Sequence, residues 1–194
     1  MRFARTVLIA FVVLGLIGCT MGLSMSPPAR LDVAGLQQHP AKAGLVISKE
    51  LKETVYVKQT SPFDKISYPI GEQTAQLFRQ NLPLVFSRVA EVESKSAASD
   101  IDFVVEPAIV SFSSVIPMPA YNPYTAKIVY RVDVYRKGEK IFTQTAIGDA
   151  QTSKGMMSGF AAQSIAAEVA NKAMENAMKQ ILEGLSAAEE LKKR

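Results

Sequence analysis

The sequence predicts a single α+β domain, a two-layer sandwich in which two helices cover one face of a mostly antiparallel sheet. Two stretches, residues 71–89 and 161–185, carry apolar side chains at the three- and four-residue spacings of a helix with one buried side. Short runs of β-branched and aromatic residues lie before and between them. The predicted order of elements is therefore β-β-α-β-β-β-α.

The first two strands and the first helix lie in the N-terminal half of the chain. Residues 45–47 form a short apolar run, and residues 54–57 form a second patch that is rich in β-branched and aromatic side chains. The helix over residues 71–89 contains Pro83, which lacks a backbone donor and clashes with the preceding turn. We therefore expect a kink at Pro83, or two abutting helices.

Three further strands precede the second helix. A long strand over residues 101–116 is expected to bend or bulge at residues 106–107, where a proline interrupts it. Residues 124–135 alternate between apolar and polar side chains, which is typical of a strand with one buried face. Gly138 then predicts a hairpin turn before a returning strand over residues 140–145.

The remaining segments are predicted to lie outside the packed domain, which we place at residues 45–186. Residues 19–44 are rich in proline, glycine and polar side chains, so we expect a flexible tether. Residues 187–194 are expected to form a charged tail. Because Cys19 is the only cysteine, no intrachain disulfide can form, and stability must come from burial.

Residues 1–18 have the layout of a secretory signal peptide. Arg2 and Arg5 precede an uncharged apolar run over residues 7–17, and a small residue precedes Cys19. The apolar run is eleven residues long, whereas a helix that crosses a bilayer needs roughly 20. We therefore expect a cleaved leader rather than a permanent membrane span.

The tetrapeptide Leu16-Ile17-Gly18-Cys19 resembles the bacterial lipobox. The resemblance implies that Cys19 receives diacylglycerol on its sulfur, becomes the N-terminus after cleavage and is then acylated on nitrogen; no other cofactor is expected. It also implies an outer-membrane protein that faces the periplasm, because Thr20 stands where an aspartate retains lipoproteins of enteric bacteria in the inner membrane. An ordinary cleaved leader with an incidental cysteine is the alternative.

Composition argues against nucleic-acid binding. Loss of the leader would remove two arginines and lower the formal net charge from +4 to +2. Nucleic-acid binding needs a basic stripe that neutralises phosphates, and the run of basic residues at 192–194 is more simply a solvated helix end.

Candidate catalytic and metal-binding residues are few. His39 is the only histidine and lies in the predicted tether, and Cys19 would be blocked by lipid, which argues against Ser–His or Cys–His catalysis and against zinc. Asp100 and Asp102 would point the same way on a strand and could bind a hard cation or act in acid–base catalysis. The alternative is that both are solvated surface charges. No enzyme and no metal site is therefore predicted.

Two segments are candidates for contact with a partner. Residues 116–124 combine three prolines with two tyrosines, which offer large contact area on a stiffened chain. Residues 155–160 place two methionines between glycines, and methionine adapts to varied surfaces. The alternatives are a stiff connector and an ordered helix entry with buried methionines. The candidate contact residues are Tyr121, Tyr124, Met156, Met157 and Phe160.

The folded body resembles small Gram-negative envelope lipoproteins of the YajG-like and transport-auxiliary kind. The matching parts are Tyr68-Pro69-Ile70-Gly71, Leu84-Val85-Phe86-Ser87-Arg88-Val89, Arg136-Lys137-Gly138 and the long C-terminal helix. Those families have two-layer domains without catalytic residues. The resemblance therefore implies a non-enzyme and carries over no site residue except Cys19.

We expect a non-enzymatic outer-membrane lipoprotein whose periplasmic domain is an adaptor, assembly factor or transport-auxiliary factor for an envelope protein complex. The alternative is a carrier of lipid or lipopolysaccharide with an apolar cavity between helices and sheet. A cavity lined by Phe78, Phe86, Ile109 and Met174 would favour the carrier, and a tightly filled core would favour the adaptor. A hydrolase that uses Asp100 and Asp102 is the third possibility.

Overall fold

The computed structural model describes residues 20–26, 29–60, 65–95, 100–117, 123–152 and 160–192, and for residues 20, 21, 160 and 161 this covers the backbone only. Several sequence predictions lie outside the described residues. They are the signal peptide, the lipidation of Cys19, and the contact residues Tyr121, Met156 and Met157.

The described part of the chain forms eight strands, three α-helices and two short 3₁₀ helices. The strands are β1 (Thr20–Gly22), β2 (His39–Leu45), β3 (Tyr56–Gln59), β4 (Lys65–Tyr68), β5 (Phe86–Glu91), β6 (Phe103–Val115), β7 (Tyr124–Arg136) and β8 (Glu139–Thr152). The helices are α1 (Lys49–Lys52), α2 (Ile70–Asn81) and α3 (Phe160–Ala187), and the 3₁₀ helices are Leu82–Leu84 and Glu189–Leu191.

Five strands form a mixed sheet in the order β5-β2-β6-β7-β8. β2 runs parallel to both of its neighbours, whereas β7 runs antiparallel to both β6 and β8. The prediction of a mostly antiparallel sheet is therefore wrong, although the α+β class holds. The physical reason is the connection from β2 to β5, which passes through α2. A connection that contains a helix allows two neighbouring strands to run in the same direction.

The remaining strands form a small sheet in the order β1-β4-β3. β1 is parallel to β4, with Thr20 opposite Lys65 and Gly22 opposite Ser67. β3 is antiparallel to β4 and forms the other edge. We refer to these three strands as the small sheet.

One face of the five-stranded sheet carries the core. Along β7, alternate side chains at residues 128, 130, 132 and 134 are all fully buried, as the alternating pattern predicted. α2 packs on this face through Thr74, whose hydroxyl lies 2.9 Å from that of Tyr130, and through Phe78, whose ring meets Tyr130 edge-on. The long stripe of α3 covers the same core. Its buried members are Ile165, Ala166, Val169, Ala170, Ala173, Met174, Ala177, Met178, Ile181, Leu182 and Leu185.

α3 also closes the free edge of β8. The side-chain amide of Gln180 donates to the Ile147 carbonyl oxygen at 2.7 Å and accepts from the Ile147 amide at 3.3 Å. Asn176 donates to the carbonyl oxygen of Asp149 at 2.8 Å. An exposed strand edge is a template for pairing with another chain, and these amides occupy part of it.

The helix predicted over residues 71–89 ends at Asn81. Pro83 lies at the start of the 3₁₀ helix Leu82–Leu84, where its missing donor costs no α-helical hydrogen bond. Phe86 and Val89, which fit the helical spacing, belong to β5 instead. Phe86 and Val89 are three residues apart and are the least exposed side chains of β5, so their spacing matches that of a helix although they lie on a strand.

The interruption of β6 also differs from its prediction. The register between β6 and β7 shifts between Ile109 and Ser111, whereas Pro107 pairs in register with Val132. The Val105 carbonyl accepts from Val46 on the β2 side, so Pro107, two residues on, turns its missing N–H toward the same side, beyond the end of β2. A proline is tolerated there because no ladder hydrogen bond is lost.

The folded body starts earlier and ends later than predicted. Within the predicted tether, Leu31 donates its amide to Asn81 Oδ1 at 2.7 Å, and Gln37 donates its amide to Ser186 Oγ at 2.6 Å. The side chains of Leu23, Met25 and Leu31 are buried, as are Ala188 and Leu191 in the predicted tail. Proline and glycine content indicated flexibility, but these apolar side chains bury against the helices.

The hairpin between β7 and β8 is confirmed. Lys137 and Gly138 have positive φ angles of 50° and 83°, the backbone of a two-residue turn whose twist suits a hairpin. The strand that follows runs to Thr152 rather than to residue 145.

Candidate functional site

The two predicted contact segments leave the sheet at the same end. In the β7–β8 ladder Tyr124 lies opposite Thr152, and in the β6–β7 ladder Val115 lies opposite Thr125. The side chain of Tyr124 is only 7% exposed and belongs to the core. This burial favours the alternative in which Tyr124 is a structural residue at the sheet end. Phe160 begins α3, and its side chain lies outside the description.

An aromatic cluster joins the small sheet to this end of the large sheet. The ring centroid of Phe112 on β6 lies 5.0 Å from that of Tyr56 and 5.4 Å from that of Tyr68. The hydroxyl of Ser114 donates to that of Tyr68 at 2.9 Å. Burial raises the pKa of Tyr68, and the hydrogen bond from Ser114 only partly offsets this. Tyr68 therefore stays neutral and serves as an anchor between the sheets.

Asp100 and Asp102 meet at a lysine. The carboxylate of Asp102 accepts the backbone amide of Lys42 at 2.8 Å, and the Lys42 ammonium lies 3.5 Å from Asp100 Oδ2. The backbone amide of Asp102 in turn donates to the Lys42 carbonyl at 3.0 Å. These contacts join the start of β6 to β2, which is a structural role for both carboxylates at an exposed site.

We predict that Asp100→Asn and Asp102→Asn together change the free energy of unfolding by no more than about 0.5 kcal/mol, as is usual for surface substitutions. The side-chain oxygen of asparagine can still accept the Lys42 amide. Chemical denaturation measures stability, and growth of a complemented deletion strain measures function. Loss of function at normal protein level would contradict this assignment and revive the hydrolase or metal possibility.

His39 is a buried core residue rather than part of a tether. It begins β2, its side chain is 3% exposed, and its ring packs 5.9 Å from that of Phe86. Its Nε2 lies 2.9 Å from the carbonyl oxygen of Leu185, which can only accept, so the ring donates there. This hydrogen bond ties β2 to the C-terminal end of α3.

The face of the large sheet opposite the helices carries a charged network that the sequence did not single out. Asp133 on β7 is almost fully buried and accepts from Thr143 at 2.7 Å and from Lys140 at 3.0 Å. Nearby, Glu106 pairs with Lys95 at 2.8 Å and accepts from the Tyr135 hydroxyl at 2.9 Å. The sequence feature that could have predicted this network is the alternation along β7, which places Arg131 and Asp133 on the face opposite the core.

The environment of Asp133 favours its charged form. Burial would raise the pKa of Asp133, but the hydrogen bonds from Thr143 and Lys140 and the charges of Lys140 and Arg131 outweigh it, so the pKa lies below its ordinary value. In the second part of the network, the hydrogen bonds to Glu106 and Tyr135 raise the pKa of Lys95. Both groups are thus held charged as parts of satisfied ion pairs, not poised for proton transfer.

We predict that Asp133→Asn lowers the free energy of unfolding by about 1–2 kcal/mol at neutral pH, because it removes charge-assisted hydrogen bonds from a buried position. The folded-state pKa of Asp133 is below the unfolded value, so its contribution is fully present above the ordinary aspartate range. It is lost as the pH falls through the folded-state pKa. Urea denaturation at a series of pH values from neutral to acid should therefore show the free energies of unfolding of the wild type and of Asp133→Asn becoming equal.

The exposed Asp149 on β8 provides a matched control. Asp149→Asn should change stability by less than about 0.5 kcal/mol across the same pH range. A stability difference for Asp133→Asn that persists undiminished in acid would mean that the charge of Asp133 does not stabilise the fold.

In the described part of the chain, no three His, Cys, Asp or Glu side chains are grouped so that they could hold a metal ion. Among the helices of that part, none combines the length and apolar character that crossing a bilayer requires.

Comparisons with known proteins show the fold. No family model matches the chain, and no curated protein matches it. Protein XCC0632 from Xanthomonas campestris, of family DUF330, is similar in structure with a TM-score of 0.54 at 10% identity, over 85% of this chain and 96% of that chain. A minor lipoprotein from Acinetobacter baumannii gives a TM-score of 0.46 at 10% identity, over 78% of this chain and 94% of that chain. The chain therefore shares its fold with the DUF330 protein.

Proposed function

We propose that this chain is an outer-membrane lipoprotein, anchored through acylated Cys19 and facing the periplasm, whose domain is a non-enzymatic adaptor for an envelope protein complex. The observation that carries the anchoring is the tetrapeptide Leu16-Ile17-Gly18-Cys19, which resembles a lipobox and follows the charged and apolar parts of a leader. Two acyl chains would then hold the domain stably at the membrane.

The non-enzymatic role is supported by how the polar groups of the described residues are used. Three residues of types that can act in catalysis each hold two structural elements together through a hydrogen bond. They are His39, Asp102 and Asp133. Structural ion-pair networks also shift carboxyl pKa values, so the lowered pKa of Asp133 does not by itself mark a functional site. Here the partners are present.

The core favours the adaptor over the lipid carrier. Phe78, Phe86 and Met174, which a carrier would use to line a cavity, are buried in one continuous core cluster. Phe86 packs between His39 and Phe103, with ring centroids 5.9 and 6.1 Å away. Ile109 lies half-buried against the same cluster.

Partner capture tests the adaptor role. Tagged lipidated protein is used to isolate partners from detergent-solubilised envelopes, with fractionation showing the membrane of origin. Tyr121→Ala, and separately Met156→Ala with Met157→Ala, should weaken capture by about fivefold or more, the loss of one hot-spot contact, without lowering the melting temperature.

Tyr124→Ala is the structural control. Because the Tyr124 side chain is buried, this change should lower the melting temperature while binding per folded molecule is retained. If Tyr121→Ala and the double methionine variant capture the same partners as the wild type, the proposed contact residues are wrong. If the wild type captures nothing specific, the adaptor role fails.

A further inference from the structure

The small sheet fixes where the lipid anchor leaves the domain. Thr20 is the first residue of β1 and pairs with Lys65 on β4, and Cys19 precedes it by one residue. Consecutive α-carbons are about 3.8 Å apart, so an acyl group on Cys19 would attach next to this sheet. A flexible tether over residues 19–44 would instead have allowed roughly 25–30 Å between bilayer and domain.

The chain after β1 runs away from the anchor along the helices. Leu23 donates its amide to the Ser67 carbonyl at 2.9 Å, and the Met25 carbonyl then accepts from Gln73 in the first turn of α2 at 3.4 Å. Leu31 reaches Asn81 at the other end of α2. The residues after β1 thus progress from the start of α2 to its end, and the N-terminal side of β1 points the opposite way, away from the helix layer.

The exposed surface of the small sheet has the chemistry of a membrane contact. Val55, directly before β3, and Val57 on β3 are 53% and 50% exposed, an unusual exposure for aliphatic side chains. Successive side chains of a strand point to opposite faces, so Lys58, which pairs with the buried Ile66, lies on the inner face with Tyr56. On the outer face the charged side chain is Lys65, which pairs with Gln59 and is cationic. Aliphatic side chains beside a lysine suit the boundary between anionic headgroups and acyl chains.

Distances across the sheet keep β3 close to the bilayer once Cys19 is lipidated. Neighbouring strands lie about 4.8 Å apart, so β3 lies roughly 10 Å from β1 across β4. The headgroup region of one leaflet is itself on the order of 5–8 Å thick. Val57 and Lys65 therefore lie within reach of the leaflet that holds the lipid.

We infer that the outer surface of the small sheet, with Val55, Val57 and Lys65, docks directly on the headgroup region of the bilayer that holds the Cys19 lipid. This inference rests on the proposed anchoring. It makes the lipoprotein a domain of fixed orientation rather than one on a flexible tether. The sheet end at Val115, Tyr124 and Thr152 lies on the inner side of the small sheet, because Ser114 and Phe112 contact Tyr68. A partner bound at that end would be engaged close to the membrane.

The chain contains no tryptophan, so a single introduced tryptophan reports its own position. Full-length protein carrying Val57→Trp is expressed in bacteria, purified with its lipid and reconstituted in vesicles of phosphatidylethanolamine and phosphatidylglycerol that contain a headgroup spin-labelled lipid. The control is Glu139→Trp at the turn between β7 and β8. This position lies at the opposite end of β8, a distance of about 40 Å for a strand of this length.

The Val57→Trp protein is expected to be quenched at least about twofold more than the Glu139→Trp protein, with a blue-shifted emission, because headgroup labels reach only the interfacial region. Val55→Trp should behave as Val57→Trp does and keeps the test valid if one variant misfolds. Equal quenching of the near and far probes would overturn the docking. A blue shift at residue 57 without quenching would also overturn it, in favour of a protein or a second copy on this surface.

Mass spectrometry of the same purified protein separates the two proposals. An unmodified Cys19 would overturn the lipoprotein proposal and the docking with it. A diacylated or triacylated Cys19 together with equal quenching would overturn the docking alone.

Discussion

Replacement of Gly148 by alanine is expected to lower the free energy of unfolding by about 3 kcal/mol, the upper end of the range for overpacked cores. Gly148 lies on β8 opposite Ile128, where α3 crosses the sheet. An added Cβ would overlap the carbonyl oxygen of Ala173 and lie 2.6 Å from the amide nitrogen of Ala177. Backbone atoms of a helix cannot rotate away, so α3 would have to move off β8. Urea denaturation followed by circular dichroism measures the loss.

Gly22→Ala is the matched control for this prediction. The nearest atom to an added Cβ there is Ser67 Oγ at 3.7 Å, an ordinary contact. Its effect on stability should stay within about 0.5 kcal/mol. Wild-type stability for Gly148→Ala would mean that α3 does not approach β8 as closely as the structure shows.

The sequence was sufficient to predict a helix or strand where one spacing of apolar side chains continued over a long segment. α3 repeats its buried pairs over many turns, and its alanines suit close packing on the sheet. The hairpin was equally readable, because Gly138 separates two β-rich runs and adopts the positive φ that the turn needs.

The order of strands in the large sheet was not predicted correctly because the segment that forms β5 has the apolar spacing of a helix. Phe86 and Val89 fit the helical spacing begun by Ala75 and Phe78, yet they lie on β5 beside β2. What decides their structure is pairing with His39 and Ala43, more than forty residues earlier in the chain. Local propensity contains no information about such a partner, so tertiary context overrides it.

The candidate site was predictable only in part. The lipobox pointed to Cys19 through a short local motif. Of the small sheet, the β-rich residues 54–57 indicated only β3, which overlaps them. β1 and β4 were not predicted, because they have three and four residues, too few for a period to emerge. Tyr124 was predicted both to begin the strand over residues 124–135 and to be a contact residue of the segment 116–124. In the structure it begins β7 and is buried at the sheet end opposite Thr152.

Cys19→Ala is expected to abolish lipid attachment completely, because the acylated atoms belong to this residue. Metabolic labelling with palmitate should mark the wild type and leave the variant unlabelled. The lipoprotein peptidase would also fail to cleave, so the variant should keep residues 1–18 and migrate as a larger protein. Mass and label are better readouts than membrane fractionation here, because a retained leader can itself hold a protein at the membrane.

A variant that combines Cys19→Ala with Ser26→Cys separates the motif from the thiol. It keeps one cysteine in the chain but moves it seven residues, to an exposed position beyond β1. If the lipobox directs acylation, this protein should remain unlabelled although its thiol is accessible. Label on this variant would show that any exposed cysteine is acylated, and an unlabelled wild type would show that the anchor is absent. If the wild type is labelled and both variants are not, the lipid is attached to Cys19. Because β1 begins at the next residue, no flexible tether then separates the lipid from the domain.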